Sequence, residues 1–75
     1  MERYQNLSGN SGVQYYECGP DSIKVRFRDG PTYVYDDVKP GSQHVTRMKE
    51  LARAGKGLST YISQHVRTDY ARTEP

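Results

Sequence analysis

Hydrophobic and polar positions alternate most regularly from Ser22 to Arg28, where Ile23, Val25 and Phe27 are separated by Lys24, Arg26 and Arg28. A period of two sends successive side chains to opposite faces of a strand, so this segment has one apolar and one cationic face. Val13 to Cys18 is β-branched and aromatic and runs into Gly19-Pro20-Asp21, which predicts a first strand closed by a turn. Asp29-Gly30 predicts the next turn, and Thr32 to Tyr35 a third strand.

Beyond Pro40-Gly41 the period changes. Val45, Met48 and Leu51 or Ala52 fall at helical spacing, with Ser42 as a candidate N-cap. This predicts a helix to about Ala54, closed by Gly55 as glycine closes helices in the left-handed conformation. Ser59 is a candidate cap for a second helix, on which Ile62, Val66 and Tyr70 recur every four residues with Tyr61 alongside. Residues 1–12 end in a Gly/Ser/Asn-rich stretch and predict a flexible arm, and residues 72–75 a frayed tail. What lies between, residues 13–71, is one domain. Strands followed by helices predict an α+β fold, a three-stranded antiparallel meander followed by two α-helices packed on one face. The other sheet face would be wet and carry Lys24, Arg26 and Arg28.

Composition changes this picture in three ways. A 75-residue chain buries only about 60% of its unfolded surface, and large aliphatic residues are few. The seven tyrosines must therefore supply much of the packing. Net charge is +2, from eleven Lys and Arg against nine Asp and Glu, which is mild support for a polyanionic partner. One cysteine, Cys18, cannot make an internal disulfide and fits a reducing compartment. With no apolar run in Met1 to Asn6, and none approaching the roughly 20 residues of a membrane span, the expected location is cytoplasmic and no membrane partner is expected.

Phe27, Gly30 and Tyr33-Val34-Tyr35 reproduce an F-x-x-G-x-x-Y-x-Y pattern, and Val38-Lys39-Pro40 follows it. Tyr61 to Tyr70 is similar to a closing Y-F-N-x-x-I-R-x-x-Y helix. Together these segments resemble the KTSC domain, found at the C-terminus of some lysyl-tRNA synthetases and as a free-standing protein. The resemblance covers roughly residues 13–70. Ser63 stands where that family usually has Asn, and the link Leu58-Ser59-Thr60 is longer than usual. What the resemblance implies is chiefly the fold; RNA binding is suggested for the family by the synthetase context.

Candidate chemistry is sparse. The segment Gly55-Lys56-Gly57-Leu58-Ser59-Thr60 is no phosphate loop, because Glu50 occupies the position of the first glycine, Gly57 follows the lysine, and a helix precedes it. His44 and His65 belong to different elements and lack Cys or acidic neighbours to complete a metal site. Cys18 has no orienting group or oxyanion site in view. The expectation is a non-enzymatic binding module with no cofactor and no metal.

Two basic rows point to a polyanion: Lys24, Arg26 and Arg28 on a strand, and Lys49, Arg53 and Lys56 on a helix. A charged wet face is also the ordinary appearance of an exposed sheet. Tyr33 and Tyr35 could add base stacking worth about 1–3 kcal/mol per base if they share the cationic face. An even-numbered hairpin loop would place them there, opposite Arg26 and Lys24. A three-residue loop would instead set Phe27 opposite Tyr33 and Val25 opposite Tyr35 and send both rings to the core. Pro31 has no N–H to close a two-residue turn, which, with the need for core volume, favours burial. The leading expectation is an RNA-binding accessory module for tRNA or single-stranded RNA. The alternative is a protein-interaction or regulatory module that docks on a larger partner, through an open sheet edge or the N-terminal arm.

Overall fold

The alternating segment Ser22–Phe27 is the central strand of an antiparallel sheet in the computed structural model, which describes residues 1–9 and 11–75. In chain order the strands are β1 (Glu2–Arg3), β2 (Val13–Cys18), β3 (Ser22–Phe27), β4 (Thr32–Asp36) and β5 (Arg72–Glu74). They lie side by side in that same order. The protein is a small α+β domain whose sheet is five-stranded rather than three-stranded: the expected meander is present, and each terminus adds a short strand to one edge.

Both terminal segments therefore differ from the expectation of a flexible arm and a frayed tail. Tyr4 is buried, its backbone N–H donates to the Gln14 carbonyl at 2.9 Å, and its hydroxyl accepts from the Leu58 N–H at 3.3 Å. The Leu7 N–H donates to the Gly55 carbonyl at 2.7 Å. The Asn6 side chain holds the Ser11 backbone, and the Ser11 hydroxyl accepts from the Val13 N–H. One buried ring and a set of backbone bonds thus order a segment whose composition is polar. Asn10, part of that Gly/Ser/Asn stretch, lies outside the described residues. At the other end, β5 pairs with β4, and the Glu74 carboxylate accepts from the Lys24 ammonium at 3.1 Å across the sheet.

The first helix, α1 (Ser42–Ala54), buries Val45, Met48 and Ala52 as its spacing predicts. Its N-cap is Gly41 rather than Ser42, with no side-chain cap. Gly55 closes it at φ 78°, and its N–H reaches the Leu51 and Ala52 carbonyls. After Gly57 comes a short α2 (Leu58–Tyr61), which widens into a π-helical turn over Ile62–Val66 and then ends. An apolar spacing of four drifts about 40° per step on an α-helix. The wider π-turn absorbs that drift and keeps Leu58, Ile62 and Val66 all buried. Tyr70 consequently lies outside the helix, folded back against the rings of Tyr33 and Tyr35.

The core lies between the helices and one sheet face. Tyr16, Ile23, Val25 and Tyr35 from the strands meet Val45, Met48, Leu58, Ile62 and Val66, with Tyr4 and Val13 at the margin. Among the described residues no helix lies on the other face of the sheet.

Candidate nucleic-acid interface

The uncovered face is organised by register. Arg3 stands opposite Tyr15, Tyr15 opposite Arg26, Arg26 opposite Thr32, and Thr32 opposite Glu74. The neighbouring row is Glu17, Lys24, Val34 and Arg72. Directly opposed side chains in an antiparallel pair sit about 4.5–5.5 Å apart at Cβ, so each row is a continuous strip.

Within those rows the charges divide. Lys24 is spent on Glu74, and Arg72 approaches the same carboxylate at 3.3 Å. The Lys24 hydrogen bond, ahead of the other influences, holds the Glu74 carboxyl below its usual range. Val34, in register between Lys24 and Arg72, is fully buried although it lies on the open face. Arg3 and Arg26, by contrast, are exposed and make no ion pair among the described residues. Between them Tyr15 presents a half-buried ring.

A β-bulge puts Tyr15 there. The pairing of β2 with β3 shifts between Val13 and Tyr15. The extra residue lets Val13 and Tyr16, three apart, both face the core while Tyr15 faces out. Strict alternation from Val13 would have sent Tyr15 inward, which is why sequence reasoning missed it.

The sequence-predicted site residues fall into separate places. Lys24 and Arg26 are on the open face, and Arg28 is exposed in the β3–β4 hairpin. Tyr33 and Tyr35 are not with them. Tyr33 stands opposite Val25 and Tyr35 opposite Ile23, on the helix-covered face. The last paired positions, Arg26 and Thr32, are joined through residues 27–31, an odd-numbered connection that carries the rings inward. The pairing is displaced by two residues from the three-residue expectation, so the facing is the same. Tyr35 is buried, Tyr33 half-buried, and both rings meet Tyr70 edge-on. Phe27 meets Tyr33 likewise at 5.5 Å.

The helical basic row also divides. The Lys49 ammonium donates to the Gly19 carbonyl at 2.6 Å and the Pro20 carbonyl at 3.2 Å, clamping the β2–β3 turn onto α1. Arg53 and Lys56 are exposed, but they belong to the helical layer, across the sheet from Arg3 and Arg26. The structure does not assemble one basic surface from all six cations.

His44 and His65, assigned from sequence to different elements, come together around Tyr61. His44 Nδ1 lies 2.7 Å from the Tyr61 hydroxyl, the Tyr61 and His65 rings are 4.5 Å apart, and the two imidazoles 6.1 Å. Among the described residues no cluster of three or more His, Cys, Asp or Glu side chains is placed to hold a metal ion. No helix among them is long and apolar enough to cross a membrane. Comparison with protein-family models, curated proteins and solved structures finds no match.

Proposed function

We propose that this protein is a non-enzymatic module that binds single-stranded RNA on the open face of its sheet. The observation that carries this reading is the placement of Tyr15 in register between Arg3 and Arg26, two guanidinium groups with no acidic partner among the described residues. A ring flanked by cations suits an unpaired base and its adjoining phosphates: the base stacks on the tyrosine, and the guanidinium groups draw the backbone. Arg28, at the hairpin end of the same sheet, extends the cationic path. Lys24 contributes less, since its charge is met by Glu74. The resemblance to a synthetase appendage supports the same class of partner, and the lone Cys18 fits a reducing cytoplasmic setting.

A module that recruits a partner strand has less to work with, because the edge strands are two and three residues long. Tyr15→Ala tests the RNA reading. Loss of one stacked base is expected to cost about 1–3 kcal/mol of binding, read as a rise in Kd by fluorescence anisotropy. An unchanged Kd would remove the open face from the account.

A further inference from the structure

The helix-covered side of the sheet carries an open cleft of about 210 Å³, lined by Phe27, Tyr33, Tyr35, Ile62 and Arg67. Three of these five residues are aromatic, and the rings are already fixed. Phe27 and Tyr33 pack edge to face, and Tyr70 packs edge-on against both Tyr33 and Tyr35. A ligand ring entering here meets preformed walls and orders little.

Three lining side chains carry donors, Tyr33, Tyr35 and Arg67, and none of them makes a side-chain hydrogen bond among the described residues. Arg67 is exposed at the rim and makes no ion pair or side-chain hydrogen bond among the described residues. The Tyr35 side chain is almost wholly buried, and its hydroxyl makes no hydrogen bond among the described residues. Among the described residues no buried side-chain nitrogen or oxygen lacks a partner, so this hydroxyl keeps a small exposed area, and the residue lines the cleft. Burial first, then Tyr33 and Tyr70, pushes the Tyr35 phenol up to about 12, further above neutrality than an ordinary tyrosine. A guanidinium and phenol donors at an aromatic slot call for an acceptor that bears negative charge and is attached to a ring.

Size narrows the class. The cleft is smaller than the roughly 300–1,000 Å³ of sites for drug-sized ligands, so it takes one ring and a short anionic group. A planar carboxylate matches the guanidinium fork. We propose that this cleft is a binding site for a single-ring aromatic carboxylate, its ring against Phe27 and Tyr33 and its carboxylate accepting from Arg67 and the Tyr35 hydroxyl. The site lies across the sheet from Tyr15 and Arg26 and is independent of RNA binding there.

Benzoate is the probe, titrated into the isotope-labelled protein and followed by amide NMR. Saturable shifts are expected at Phe27, Tyr33, Ile62 and Arg67, with a Kd of about a millimolar or tighter. Benzyl alcohol, which has the ring without the charge, and acetate, which has the charge without the ring, are each expected to bind at least about tenfold more weakly. Arg67→Gln changes an exposed residue and should keep the fold while weakening benzoate by about tenfold; Tyr35→Phe should weaken it in the same direction. Absence of saturable shifts up to about 20 mM benzoate would overturn the proposal. So would acetate binding as well as benzoate, or Arg67→Gln binding benzoate as tightly as the parent.

Discussion

Individual cations in this protein do different work, although the sequence writes them alike. Lys49 was a candidate phosphate contact, yet its ammonium is bound to the Gly19 and Pro20 carbonyls. Lys49→Met should therefore lower stability by about 1–3 kcal/mol in urea unfolding and leave RNA affinity unchanged. Lost affinity with intact stability would return Lys49 to the binding surface. Lys24 is tied to Glu74 in the same sense. The Glu74 carboxyl is held low in the folded state, chiefly by that hydrogen bond, so folding favours its ionised form. Its contribution is complete above the carboxyl's unfolded pKa and is lost as pH falls through the lowered folded value. The parent protein should lose more stability than Glu74→Gln between neutrality and about pH 3, compared by urea midpoints. Parallel curves would mean that the Lys24–Glu74 contact does not persist in solution.

At the scale of elements, the sequence was most legible where one period ran unbroken. Ser22–Phe27 alternates without exception and is the central strand; Val45, Met48 and Ala52 hold helical spacing and form the buried stripe of α1. It was least legible where long-range pairing overrides composition. Glu2–Arg3 and Arg72–Glu74 have no apolar signal, and they become strands because β2 and β4 offer unpaired edges beside them. The bulge at β2 and the π-turn after α2 each insert a residue that breaks local periodicity, and each alters what faces where. Tyr15 was hidden by the first, and the position of Tyr70 by the second. The N-terminal segment gives the sharpest test at this scale. If it belongs to the fold, Tyr4→Ala removes a buried ring and should cost about 3–5 kcal/mol in urea unfolding. A cost below about 0.5 kcal/mol, the range of ordinary surface changes, would return residues 1–12 to the status of an arm.

The whole molecule has two dissimilar sides. One is closed by helices, has Arg53 and Lys56 on its outer surface, and leaves an aromatic cleft beneath Arg67. The other is a bare sheet on which the guanidinium groups of Arg3 and Arg26, unpaired among the described residues, flank a tyrosine. A net charge of +2 is too small to bind polyanions from every direction, so under the proposed function sidedness would decide where RNA goes. The expected partner surface is the bare one, and the six cations singled out in the sequence contribute to it unequally. An amide NMR titration with a mixed single-stranded RNA, at low and at moderate salt, tests this directly. Salt-weakened shifts are expected to concentrate at Arg3, Tyr15, Arg26 and Arg28, with Arg53 and Lys56 undisturbed. Shifts confined to the helical side, or none at low salt, would contradict it.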